Sequence, residues 1–331
     1  MFSSNEIGTI LKFAIFGGSH QKHIGGSLRN FPKGVVFEEE FLKSEIDRRK
    51  PTLHGTPRKE RDEVLFSTQM KEGEPIGENF DFYIENTNID INSYNDAMGL
   101  FRPSHADYVY YKKYSDLDIR GRDDASGRIT LPMVIAGALC KMFLKKYNIS
   151  IEAEVESTGN EEVLQQGDTI GGKVVCRVKN MILGVGEPIF YKLQSQLAFA
   201  MMSIPSAISF EIGDGVERAF LSGSEDLDNW AEDNNENTPY FRTLTNHCGG
   251  INAGISNGND VVFHIGFHPV HTLSQSMRLI DIKGKTENKI FGGRHDKAHI
   301  YRLPVVVESM CAVVLTDLIL MNEHNKKRCY E

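Results

Sequence analysis

LPVVVESMCAVVLTDLILM, residues 303–321, carries only Glu308 and Asp317 as charged side chains. A helix that is apolar nearly all round has no face to turn to water, so burial on more than one side is expected. Charges at mid-span are costly in lipid, which favours a core helix over a membrane span. LPMVIAGALCKMFLKKY (131–147) reads the same way. Other segments alternate as half-exposed strands do. In NFDFYIE, Phe80, Phe82 and Ile84 face one way; in SIEAEVE, Ile151, Ala153 and Val155 do so. KVVCRVK (173–179) and VVFHIGF (261–267) are further strand candidates. FEEEFLKSEIDRRK (37–50) is an amphipathic helix with acids at its positive end. EPIFYKLQSQLAFAMM (187–202) reads as another, with Pro188 in its first turn and Phe190, Leu193, Leu197 and Met201 on one stripe. One-faced sheets and fully buried helices predict helices packed inside, between sheets.

The 331 residues are 40% hydrophobic and 25% charged, a globular profile that suits one large domain or two modest ones. No composition break divides them, so a single domain spanning 1–331 is expected. The stretch 224–239, with six carboxylates and no base, reads as a mobile acidic surface loop. A net charge of −8 argues against nucleic-acid binding. Five scattered cysteines without a CxxC pair read as reduced thiols of a cytoplasmic protein. The start, MFSSNEIGTILKF, has no signal-peptide pattern, and no membrane association is expected.

Four clusters crowd His, Arg, Gly and Asp into short stretches: FGGSHQKHIGG (16–26), DRRKPTLHGTPRKERDEV (47–64), FRPSHADYVYYKKYSDLDIRGRDDASGR (101–128) and GGRHDKAHIYR (292–302). Between them lie GVGEPIFYKL (184–193), AMMSIPSAISFEIGDG (200–215) and CGGINAGISNG (248–258). Singly, each has a bland reading as a turn or a surface ion-pair cluster. His264, His268 and His271, with His247 and Cys248 upstream, have suggestive spacing for zinc. Alternation, however, places the first two in or after a strand with no carboxylate nearby, so no metal is expected.

In this order, the blocks resemble the chorismate synthase family from about Gly8 to Leu320. The resemblance implies an α+β fold, a β-α-β sandwich with buried helices between antiparallel sheets. It implies a homotetramer, a reduced FMN cofactor with NADP as an associated nucleotide, and a small-molecule substrate. The family reaction is a carbon–oxygen lyase step, the 1,4-elimination of phosphate from 5-enolpyruvylshikimate 3-phosphate to give chorismate. Position by position, His20 and His105 match the catalytic histidines, and Asp296 with Ser19 matches the pair associated with proton removal from the flavin. Histidine suits such work because it titrates near neutrality. Arg294, Ser126, Arg128, Gly249, Gly250, Ala253, Gly254, His268, Pro269 and Thr272 are the implied cofactor residues. Arg48, Arg49 and Arg58 are the implied substrate residues, a forked guanidinium being suited to carboxylates and phosphate, and Arg122, which stands where the family has glycine, is added to them as a substrate-binding candidate.

The sequence departs from the family pattern chiefly in charge. FGESHG reads FGGSHQ, with Gly18 and Gln21; GGGRSSAR reads GRDDASGR, with Asp124 for arginine and Ala125 for serine. Ile208 and His268 stand where lysines are expected, Val270 and His271 follow, and Gly55 stands near a missing arginine. Each charge-assisted hydrogen bond is worth about 1.5–3 kcal/mol, so these losses need compensation. Arg122 and Lys297 are the candidate compensators. Two functions therefore stay open: a chorismate synthase, or a divergent paralogue with a different anionic ligand or lost catalysis.

Overall fold

The structure, a computed structural model, describes residues 5–19, 21–51, 62–87, 99–115, 126–232, 241–290 and 296–328. Strands β1 (Glu6–Ile7), β2 (Lys12–Gly17), β3 (His23–Arg29), β4 (Val64–Phe66) and β5 (Phe80–Glu85) form an antiparallel sheet in the order β1-β2-β3-β5-β4. A second antiparallel sheet orders β7 (Ser150–Thr158), β8 (Gly172–Lys179), β12 (Val261–Phe267) and β9 (Ala207–Ile212) as β7-β8-β12-β9. The layer between them holds α1 (Glu39–Arg49), α3 (Thr130–Leu144) and α5 (Leu303–Arg328). Helix α3 touches β2 and β3 of the first sheet and β7 of the second, while α5 packs along β7 and β8. The expected α+β sandwich, with its helices inside, is the observed one.

The apolar segments explain this layering. Every residue of α3 except Lys141 is buried, and α5 is buried continuously from Val305 to Ile319. Both helices are long and apolar enough to cross a membrane, yet 83% and 89% of their apolar windows lie inside the protein. Their close crossing depends on Gly137: a Cβ there would stand 2.2 Å from that of Ser309. On β5, Phe80, Phe82 and Ile84 are all buried, as alternation requires. Asp317, buried in α5, accepts the backbone N–H groups of Thr9, Ile10 and Leu11 at 2.7–2.9 Å, fixing the entry to β2.

One helix begins later than expected. Helix α4 runs Leu193–Met202, so neither Pro188 nor Phe190 belongs to it, and Phe190 is 86% exposed. The cause is a tight loop. Gly186 takes φ +101°, Glu187 N–H bonds Tyr191 O, and Leu193 N–H is taken by Gly254 O. Leu193, Leu197 and Met201 do form the buried stripe.

Three smaller pieces complete the chain. Strands β6 (Leu100–Phe101), β13 (Ser276–Asp281) and β14 (Thr286–Ile290) pair as β14-β13-β6, and α2 (Asp107–Tyr114) stacks Tyr111 on Phe101 beside them. β10 (Ile251–Asn252) and β11 (Ile255–Ser256) form a hairpin. In the described part of the acidic stretch, Arg218 grips Asp226, and Asp228 accepts the backbone N–H groups of His247 and Cys248.

Candidate active site

Gly18 and Ser19 of the FGGSH motif follow β2 into the turn toward β3. Gly17 takes φ +72°, and a Cβ there would strike His23 O at 2.2 Å, so only glycine closes this turn. Asn86, just past β5, donates from one amide nitrogen to Gly18 O and Gln21 O, both at 2.8 Å. Its oxygen accepts from Arg128 Nε at 3.2 Å, and Arg128 Nη1 pairs with buried Asp62 at 2.6 Å. Ser126 caps the short turn into α3 by accepting the Arg128 N–H. The turn that presents Ser19 is thereby tied to the head of α3. Arg49, at the end of α1, reaches the same head, bonding Thr130 Oγ1 at 2.8 Å and Gly127 O at 3.0 Å.

Asp296 lies next. Arg302 Nη2 donates to its Oδ2. Burial pushes its carboxyl above the usual range, against the pull of Arg302 and Arg49. His299, on the 3-10 turn His299–Arg302, is buried, and its Nε2 lies 2.7 Å from Ser206 Oγ. Burial, then Arg302, His268 and His271, push its imidazole down to about 4. His268 and His271 stack with ring centres 4.2 Å apart. Burial and His268 also lower His271, and His105 acts on it in the same direction.

His105 closes the chain of neighbours. Its Nδ1 lies 2.7 Å from Asp107 Oδ1. Asp107 also takes a forked pair from Arg102 Nε and Nη2 at 2.7 Å, and Arg102 Nη1 donates to Thr272 Oγ1 at 2.8 Å. Burial alone would raise Asp107, but Arg102 and His105 outweigh it and hold the carboxyl well below its usual range. Arg102 Nη2 also stands 3.0 Å from His105 Nδ1, so carboxylate and guanidinium together hold that edge of the ring and leave Nε2 outside their network. The device is a histidine oriented by an acid that is itself held by arginine.

Several buried polar atoms in this region have no partner among the described residues: Ser19 Oγ, Arg128 Nη2, Asp296 Oδ1 and His299 Nδ1. Unsatisfied buried groups cost about 1–3 kcal/mol each, and such atoms gathered along one run of contacts suit a ligand that supplies both donors and acceptors. A flavin ring with a phosphate tail is such a ligand.

The structure does not bring every expected residue here. Arg48 is committed elsewhere, to Glu45 at 2.7 Å and to Glu308 at 2.6 Å, in a network that also holds Lys141. Gly249 and Gly250 back onto their own chain, where added Cβ atoms would meet Gly213 N and Asp260 O at 2.5 Å. Ala253 and Gly254, at φ +51° and +96°, make the two-residue turn of the β10–β11 hairpin. These four residues lie by the Val261 end of β12, whereas His268, Pro269 and Thr272 follow its Phe267 end, roughly 20 Å away at strand rise. Ile208 is 60% exposed beside Gly266. His264 does have a carboxylate nearby, Glu156 at 3.0 Å, which comes from β7 and could not be seen by local spacing. His20, Gly55, Arg58, Arg122, Asp124, Ala125 and Arg294 lie outside the described residues.

Residue reading missed Asp107, Arg102 and Arg302, although all three stand inside the quoted clusters within six residues of a chosen one. Asn86 carries no local signal; Asp62 and Ser206 stand inside quoted stretches, but their partners Arg128 and His299 lie 66 and 93 residues away.

A β-α-β sandwich with a buried, histidine-rich and arginine-rich site defines a class of enzyme that handles anionic small molecules. The chorismate synthase family model matches residues 11–166 and 161–320. A chorismate synthase from Bacteroides thetaiotaomicron is 36% identical, covering 96% of this chain and 98% of that protein. One from Flavobacterium psychrophilum is also 36% identical, over 97% and 98%. A crystal structure of chorismate synthase superposes with a TM-score of 0.74 at 23% identity, covering 96% of this chain and 93% of the other. The chain belongs to the chorismate synthase family, whose members are carbon–oxygen lyases acting on phosphate and use a flavin.

Proposed function

We propose that this chain is a chorismate synthase that eliminates phosphate from 5-enolpyruvylshikimate 3-phosphate in the presence of reduced FMN. The observation that carries the reading is the convergence of His105, Ser19, Asp296 and Arg128, from three separate motifs, on one run of contacts with unpaired polar atoms. Bound reduced flavin supplies the transient electron density that elimination at an unactivated carbon requires. Arg128, with Ser126, Thr272 and His268 around it, holds the cofactor, joined by Arg294. His105, oriented by Asp107, delivers a proton at Nε2 to the departing phosphate, and His20 manages protonation on the flavin side. Asp296, whose carboxyl burial raises above its ordinary value, stands as the proton acceptor beside the flavin, with Ser19 as its companion. Arg49 supplies positive charge towards the substrate, and Arg58 and Arg122 complete it.

The assembly we propose is a homotetramer. Phe190, Phe220, Trp230, Phe241, Leu244 and Ile208 are exposed apolar side chains on one chain, more than a lone soluble surface usually leaves open. We place the protein in the cytoplasm, its thiols reduced; the four described cysteines are free and buried.

The test is an anaerobic assay with chemically reduced FMN and the enolpyruvyl substrate, following chorismate and phosphate. Stoichiometric release of both supports the reading. No product at high enzyme concentration, beside a working family member, leaves the divergent paralogue favoured by His268, Ile208 and Asp124.

A further inference from the structure

His299 is held in a way that leaves one atom without a role. Ser206 Oγ donates to Pro205 O, so toward His299 it can only accept, and the proton of the neutral ring sits on Nε2. Nδ1 is therefore a bare lone pair, in a residue more than nine-tenths buried, with no partner among the described residues. A side chain kept only for packing would not need this arrangement, because a leucine or valine leaves no polar atom unpaired.

The surroundings favour an anion there. His268 and His271 face it from the segment after β12, and Arg302 from its own turn, with Asp296 already paired to Arg302. His105 faces His271 from the start of α2, with Asp107 and Arg102 behind it, and Arg49 faces Asp296 from α1. On β7 and β8, which pack against the same turn, Glu156 and Lys173 pair with each other. Among the described residues, cations and proton-accepting imidazoles outnumber free carboxylates around Nδ1. Without a ligand, burial first and then the neighbouring charge of Arg302 keep the ring neutral. A dianion among them reverses the balance and draws a proton from solvent onto Nδ1, which then becomes a donor aimed at the ligand.

We infer that His299, set by Ser206 and flanked by the stacked His268–His271 pair, forms a proton-switched subsite for a phosphate monoester dianion. The bound state carries one more proton than the free states, and no covalent bond or electron moves. The ligands named for this subsite rest on the proposed function, where both FMN and the enolpyruvyl substrate bear such a phosphate.

Calorimetry on the full chain, in two buffers of different ionisation enthalpy between pH 6.5 and 8.5, reads the proton directly. Oxidised FMN is compared with riboflavin, which differs by the phosphate alone, and the enolpyruvyl substrate with chorismate, which differs by the phosphate and the ring unsaturation its elimination leaves. At pH 7.5, one phosphate-bearing ligand is expected to take up close to one proton per site, and its phosphate-free counterpart none. Its affinity should fall up to tenfold from pH 7.5 to 8.5. His299→Gln, which keeps a donor for Ser206 but cannot gain a proton, should abolish both the uptake and the slope. Whichever pair shows the difference identifies the phosphate bound. If neither pair does, or if His299→Gln leaves the uptake intact, the inference is overturned. Should that variant misfold, imidazole nitrogen NMR of the wild type with inorganic phosphate decides instead: Nδ1 of His299 must become protonated on binding. Activity without proton uptake would retain the lyase reading and reject the subsite. Proton uptake with phosphate in an inactive protein would do the reverse.

Discussion

Two ionic clusters lie in this molecule, and they are built on opposite principles. In the first, Glu45 and Glu308 meet Arg48 and Lys141 between α1, α3, α5 and β7, two acids against two bases, and Glu308 also accepts the Ala153 N–H at 2.9 Å. Its carboxylates are spoken for. A cavity of about 290 Å³ beside it is lined by the same four residues, so its charge is already balanced. In the second, Arg128, Asp296, His299 and Ser19 each keep a buried atom unpaired among the described residues, and His105 is oriented by Asp107. The closed cluster fastens helices to a sheet. The open one stores unsatisfied polarity that folding alone does not relieve, which is the condition for a ligand to be bound tightly.

The largest effect should come from the open cluster. His105→Ala is expected to lower turnover by roughly 10²–10⁴, the scale of a positioned proton-transfer group, while leaving thermal unfolding almost unchanged. Stopped-flow detection of chorismate under anaerobic conditions measures it. A variant with full rate would remove His105 from the chemistry.

The closed cluster should answer in stability instead. Glu308→Gln leaves Lys141 and Arg48 facing Glu45 alone, and breaking a buried pair costs about 3–5 kcal/mol, with the lower end apt because Arg48 is part-exposed. Burial raises the Glu308 carboxyl, but Arg48 and Lys141 outweigh it, so the folded-state value lies below the ordinary one. Its contribution is therefore complete above the unfolded carboxylate value of about 4.3 and disappears as pH falls through the lower folded value. Urea unfolding should give a wide gap between wild type and variant at pH 7, narrowing in acid. A gap independent of pH would mean that lost packing, not lost charge, is responsible.

A direct exchange compares the clusters on one substitution. Arg128→Lys keeps a cation near Asp62 but loses the fork that leaves Nη2 free, so FMN or substrate affinity should drop by about 10- to 100-fold, or about 1.5–3 kcal/mol. Arg48→Lys should lower stability and shift neither affinity by more than about threefold. If the two variants behave alike, the division drawn between the clusters fails.

How much of this could be read from the chain alone depends on range. Helices α3 and α5, and strands β5, β7, β8 and β12, follow from local apolar periodicity, which acts residue by residue. The start of α4 did not, because Gly254, sixty residues on, captures the Leu193 N–H and delays the helix. The same limit divides the site. His105, Ser19 and Arg128 sit in dense motifs, and their positions could be named. Asp107 stands two residues from His105 in the same motif, so that pair was within local reach. That Asn86 ties Arg128 to the Gly18 turn, and that Arg48 turns to Glu308 rather than to a ligand, are long-range pairings. No spacing encodes them. Glu308 is the instructive case: it looked like an interruption in an apolar helix, and it is the hub of the closed cluster.

The smallest expected effect tests where that cluster ends. Lys145 pairs with Glu38 at 2.6 Å and lies over the Phe41 ring, 4.4 Å from its centre, at the rim of the same cavity. Both charged side chains are well exposed, so water already solvates them and holding two long chains together loses entropy. A double-mutant cycle over Lys145→Ala and Glu38→Ala should give a coupling of only about 0.2–1 kcal/mol, shrinking further at 1 M salt where screening reaches about 3 Å. The ring contact adds about 0.5–1 kcal/mol to Lys145→Ala alone, and that part should survive salt better than the pair does. A coupling as large as that of Glu308 would mean that the network extends to the surface as one unit. A small coupling confines its strength to the buried carboxylates, where a charge left alone has no water to turn to.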